Sequence, residues 1–112
     1  MADDLPDREH AHVEESKVTE YLLALNHPDG RSKAEFFIRF GFKPEEPRSL
    51  MAALLEVGIS NPVVRVARSR HGVRYTVDGQ LRAPDGRAPM VRTVWIVTAD
   101  SQGPRLVTAH PL

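Results

Sequence analysis

The stretch Asn26-His27-Pro28-Asp29-Gly30-Arg31-Ser32-Lys33 places a histidine, two cations and a helix start within eight residues. A phosphate is the ligand that such a cluster suits. The first turn of a helix presents backbone N–H groups and the positive end of its dipole, and Arg31 and Lys33 add full charge. His27 belongs to the one side-chain type that exchanges protons in the physiological range, as a general acid or base in RNA cleavage must. The same residues also make a plain tight turn followed by solvated cations. A site needs a second side.

The second half of the chain offers one. Residues 61–112 carry eight arginines and no lysine against three aspartates, whereas residues 1–60 carry twelve acids against seven bases, and the whole chain sums to zero. Arginine is the cation matched to phosphate, because its planar fork bonds bidentately and stacks on bases. Arg74, Arg92 and Arg105 fall in strand-like segments, and Thr108 and His110 follow Arg105. Same-face residues on neighbouring strands stand side by side, so these groups could converge on one phosphate. Alternation sets Tyr75 and Thr93 on the opposite faces from Arg74 and Arg92, so all four share a site only through a bulge or a strand end. Tyr75 and Trp95 read as core. The arginines also fit a simple solvent-facing role, or packing of a basic half on an acidic one.

The elements that must position these residues follow from periodicity. Residues 1–15 are polar and aperiodic and read as a mobile tail ahead of a single domain, 16–112. Val18, Tyr21, Leu22 and Leu25 lie on one face of a first helix that Asn26–Gly30 ends. Ser32 and Glu35 stand in capping-box relation at the start of a second helix, with Phe36, Phe37 and Phe40 apolar and Gly41 its stop. Ser49 caps a third, which buries Leu50, Met51, Leu54, Leu55 and Val57 and ends at Gly58. After Asn61-Pro62 the period becomes two, giving four strands separated by His71-Gly72, Pro84-Asp85-Gly86 and Gln102-Gly103-Pro104. The expected fold class is α+β: three N-terminal helices followed by a four-stranded antiparallel meander, one sheet face covered and the other free.

Composition excludes several function classes. There are no cysteines in the 112 residues, which removes disulfides, thiolate metal sites and cysteine nucleophiles. HExxH, GxSxG and Gly-rich phosphate loops are absent, which argues against zincins, serine hydrolases and nucleotide hydrolases. His10 and His12 with Glu9 and Glu14 resemble a metal cluster, but a flexible tail would bind only opportunistically, so no metal or cofactor is expected. No apolar run approaches the ~20 residues of a membrane span. The acidic start is unlike a signal peptide. The expected compartment is therefore the cytoplasm, with export by a route lacking a cleaved signal as the alternative.

The run Asn26-His27-Pro28-Asp29-Gly30-Arg31-Ser32-Lys33-Ala34, Arg74-Tyr75-Thr76-Val77 with Leu81, Pro84-Asp85-Gly86-Arg87, Val91-Arg92-Thr93-Val94-Trp95-Ile96 and Pro104-Arg105-Leu106-Val107-Thr108-Ala109 resembles a small bacterial domain family of unknown function. That family occurs alone and as the C-terminal module of polymorphic toxins. The helices-then-meander order is also similar to the barnase, EndoU, colicin and RelE-like ribonuclease toxins at the level of fold. This resemblance implies a toxin-like endoribonuclease needing no metal, in which the RNA's own 2′-hydroxyl attacks and cations stabilise the developing charge. It implies His27, Lys33 and Arg92 as catalytic residues, His27 as acid or base, with Arg31, Arg74, Arg105 and Thr108 holding substrate. RNA and an immunity or antitoxin protein are the expected partners, a homodimer mate a further one. The alternative is a non-catalytic module whose basic sheet face binds nucleic acid or a partner protein.

Overall fold

The computed structural model describes residues 3–112. Helix α1, Glu15–Lys17, runs on as a wide π-helical turn, Val18–Leu22, in which the Leu23 N–H reaches the Val18 carbonyl at 2.8 Å. The widened turn brings Leu23 and Ala24 inward and leaves Leu25, expected on the buried face, 49% exposed. Helix α2, Arg31–Arg39, starts at Gly30 with no side-chain cap, so Ser32 and Glu35 do not form the expected capping box. His27 instead braces the turn that leads into the helix. Its Nδ1 accepts the N–H groups of Asp29 and Gly30, each at 3.0 Å, and its carbonyl accepts the Arg31 N–H at 3.0 Å. The far end is a Schellman closure: Gly41, at φ 103°, donates to Ile38, Phe42 donates to Phe37, and the two phenyl rings pack edge to face.

Helix α3, Pro47–Ser60, begins with proline at its first position, where proline loses no bond, and Ser49 therefore lies inside it rather than capping it. Gly58 does not end the helix as expected. The Trp95 ring packs so closely that any Cβ on Gly58 would overlap it. The buried Trp95 indole N–H donates to the Thr93 hydroxyl at 2.8 Å, which donates to the Val77 carbonyl at 2.7 Å, so the one large polar group in the core is fully paired.

Strands β1, Val63–Ser69, β2, Gly72–Gln80, β3, Met90–Val97, and β4, Arg105–Pro111, form an antiparallel sheet in the order β1-β2-β3-β4. Helices on one face and a free second face give the α+β layout. Tyr75, Val77, Val91, Thr93, Trp95, Leu106 and Ala109 point into the core with Leu22, Phe37, Leu50 and Leu54. Register then stacks Arg65, Thr76, Val94 and Thr108 across the free face, with Arg74, Ile96 and Arg105 to one side and Asp78, Arg92 and His110 to the other.

The segment expected as a mobile tail is packed. Leu5 and Val13 are buried in the core, and Arg8–His10 forms a 3₁₀ turn. His12 pairs in parallel with Arg105: its N–H donates to Pro104 at 2.9 Å and its carbonyl accepts from Leu106 at 3.1 Å. The Val63 N–H donates to Asp3 at 2.7 Å. Two isolated apolar residues leave no periodic signature, yet sheet edges offer unpaired backbone groups that fix such a segment.

Gly58→Ala should lower stability by roughly 1–3 kcal/mol through overpacking against Trp95. Thr93→Val should cost a similar ~1–3 kcal/mol by orphaning the indole N–H. Thermal unfolding followed by circular dichroism measures both, and an unchanged midpoint in either would contradict the packing described.

Candidate functional site

An open groove of about 510 Å³ lies where the α1–α2 corner meets β4, lined by Lys17, Tyr21, His27, Lys33, Val107, Thr108 and His110. The corner is held tightly: a side chain on Gly30 would run into the Tyr21 backbone. That close approach sets the His27 ring edge-on to the Tyr21 ring, centroids 5.0 Å apart. Lys33 Nζ lies 5.3 Å and Lys17 Nζ 5.6 Å from the same phenol ring. On the other side β4 slips register between Val94 and Trp95, leaving Val107 as an extra residue. This bulge lets adjacent residues, Val107 and Thr108, both line the groove. Thr108 Oγ1 meets the Tyr21 hydroxyl at 3.4 Å.

The two groove histidines are fixed as opposite tautomers by backbone. His27 Nδ1 accepts two N–H groups, so its proton sits on Nε2, which can only donate. His110 Nδ1 lies 3.0 Å from the Pro111 carbonyl, and a carbonyl only accepts, so Nδ1–H donates there and the neutral form of this ring has its lone pair on Nε2. The Tyr21 phenol is opposed by burial, which raises its pKa. The Thr108 hydrogen bond, Lys33 and Lys17 outweigh that, and the net shift is downward from the ordinary tyrosine value.

Of the residues expected at a site, the groove gathers His27, Lys33 and Thr108. Arg92 stands opposite His110 in register, but its guanidinium is held bidentately by Asp78, both contacts 2.9 Å. Arg105 lies in a separate recess with His10 and His12 and pairs with Glu14 at 3.3 Å. Arg31 is exposed and pairs with Glu35 at 3.6 Å. Arg74 is exposed on the free face of β2. The tail residues that resemble a metal cluster are divided: Glu14 faces Arg105 and His12 Nδ1 faces the His10 carbonyl, while His10 pairs with Asp7, with Glu9 alongside on the exposed surface. Tyr21 and Lys17 were legible only as helix residues. Their i, i+4 spacing was the one signal that they share a face.

The family model of a domain of unknown function, DUF6883, matches residues 4–112. The chain belongs to that family. Among solved structures it is similar to a chain of the contact-dependent growth inhibition toxin–immunity protein complex from Klebsiella pneumoniae 342, with a TM-score of 0.70 at 16% identity, covering 94% of this chain and 96% of that one. The two share a fold. No curated protein matches the sequence. Among the described residues, no helix is long and apolar enough to cross a membrane.

The depressed Tyr21 pKa has a direct optical test. In a Tyr75→Phe background, where Tyr21 is the sole tyrosine, phenolate absorbance should rise at a pH below the ~10 of free tyrosine. The folded protein thus releases this proton before the unfolded chain does. Lys33→Met should move the midpoint upward. A midpoint unaffected by that change would separate Lys33 from the phenol.

Proposed function

We propose that the groove is the active site of a toxin-like endoribonuclease that works without a metal. The observation that carries this reading is the pair of oppositely polarised histidines beside a phenol flanked by two ammonium groups, with no carboxylate in the lining. Such a donor set suits a phosphodiester and repels a divalent cation.

His110 Nε2 takes the proton of the RNA 2′-hydroxyl, whose oxygen attacks the adjacent phosphorus. The bond from phosphorus to the 5′-oxygen breaks, and that oxygen takes the Tyr21 phenol proton, leaving a 2′,3′-cyclic phosphate. A phenol of lowered pKa is the better acid for this step. Lys33 and Lys17 neutralise the charge that builds on the phosphoryl oxygens, and His27 Nε2–H donates to one of them. His27 is thereby a hydrogen-bond donor and a brace of the turn before α2, a narrower role than the acid or base first expected of it. Arg92, locked to Asp78 beside His110, is a positioning residue. The fold shared with a chain of a toxin–immunity protein complex supports a toxin-related role, for which an immunity or antitoxin protein is the natural partner.

Purified protein should cleave single-stranded RNA in EDTA, yielding cyclic-phosphate ends. Lys33→Ala and His110→Ala should each lower the rate by about 10²–10⁴ with little change in melting temperature. Arg31→Ala, outside the groove, should leave the rate within twofold. Intact RNA after prolonged incubation with micromolar protein would sink the catalytic reading.

A further inference from the structure

The two edges of the sheet are finished differently. The outer edge of β4 is occupied by the chain's own His12 segment and by Tyr21 against Thr108. Among the described residues, the outer edge of β1 is met by its own chain only at Val63, through the Asp3 carbonyl. Beyond the register slip between Val63 and Arg65, β1 pairs regularly with β2 from Arg65 to Ser69. The turn at Arg70-His71 makes Ser69 and Gly72 a closing pair, and alternation then aims the N–H and C=O groups of Val66 and Arg68 outward. Beyond Val63, which packs against the core, the strand is uncovered, and Val64 is 54% and Val66 47% exposed. Arg68 shares the face of Val66, Arg65 and Arg74 lie on the opposite, free face of the same hairpin, and Arg70 sits in its turn; among the described residues none of the four has a carboxylate within 4.0 Å.

We propose that the β1 edge is a docking site for an acidic, extended segment of a partner protein, which adds a fifth strand to the sheet. Three features select that occupant. Open backbone groups and half-exposed valines are what a strand pairs with and covers. The arginine cluster disfavours a second copy of β1, because like charges would face one another across the new ladder. It also lacks the aromatic platform on which single-stranded nucleic acid stacks, Tyr75 and Trp95 being turned to the core. The β1 edge lies roughly 14 Å across the sheet from β4, at about 4.8 Å per strand, so a segment docked there leaves the groove open. This inference is independent of the groove's chemistry.

The probe is a fluorescein-labelled heptapeptide alternating glutamate and valine, followed by anisotropy against the full chain, with a lysine–valine counterpart and a uridine heptamer as controls. The acidic peptide should bind at least tenfold more tightly than either control, and the Val66 and Arg68 amides should slow in hydrogen exchange. Val66→Pro removes one outward N–H at an edge position where proline is tolerated, and Arg68→Glu reverses a charge. Each should weaken binding at least tenfold while RNA cleavage and the melting temperature hold. Arg68→Glu and the exchange measurement stand by themselves if the proline variant misfolds. Preferential binding of the uridine heptamer at β1, self-association through this edge, or peptide binding without protection of β1 amides would each overturn the proposal.

Discussion

Attachment of the N-terminal segment to the outer edge of β4 is the constraint on which the site depends. The backbone of His12 pairs with Pro104 and Leu106, and the chain that follows must turn through α1 close to the same strand. Tyr21 is thereby brought to Thr108, and the tight approach of Gly30 to the Tyr21 backbone carries His27 and Lys33 to the same place. An edge that would otherwise expose unpaired backbone becomes one wall of a polar groove. The bulge at Val107 completes it, since a regular strand would turn either that residue or Thr108 away.

The groove's chemistry is set by backbone more than by neighbouring side chains. His27 and His110 carry the same side chain and acquire opposite hydrogen-bonding roles from what each Nδ1 meets, two N–H groups in one case and a carbonyl in the other. The turn Asn26–Gly30 is thus both corner and site. Bracing the turn before α2 takes up the Nδ1 lone pair of His27, the nitrogen that would otherwise have made that ring a base. In the proposed reaction the lone pair for proton abstraction comes from His110, at the far end of the chain.

Periodicity in the sequence carried the element order, the meander and most of the core, because each rests on local patterns that tertiary packing reinforces: the alternation of Val73, Tyr75 and Val77, the Gly41 stop, the Pro84-Asp85-Gly86 turn. What was illegible depends on contacts between distant segments. Leu5 and Val13 have no pattern of their own and are buried by an edge elsewhere. Gly58 reads as a helix stop, and only the position of Trp95 shows it as a notch in the middle of the packing. The candidate site was half legible for the same reason. His27, Lys33 and Thr108 carry chemistry in their side chains, whereas Tyr21 and Lys17 looked like ordinary helix residues until β4 stood beside them. Arg92 failed as a free phosphate ligand because Asp78, opposite it in register, claims it first.

The charge asymmetry of the chain resolves into a division of labour across the sheet. Of the eight C-terminal arginines, Arg87, Arg92 and Arg105 are taken by Asp85, Asp78 and Glu14. Those left without a carboxylate include Arg65, Arg68, Arg70 and Arg74, all on the β1–β2 hairpin. The groove draws its positive charge from lysines of the helical half instead. An ammonium on a flexible stem can follow a phosphate whose charge distribution changes during reaction, and guanidinium forks, which suit phosphate, pair bidentately with carboxylates as well. The cation type on each edge therefore suits the partner proposed for it: a phosphodiester at β4, and an acidic strand at β1.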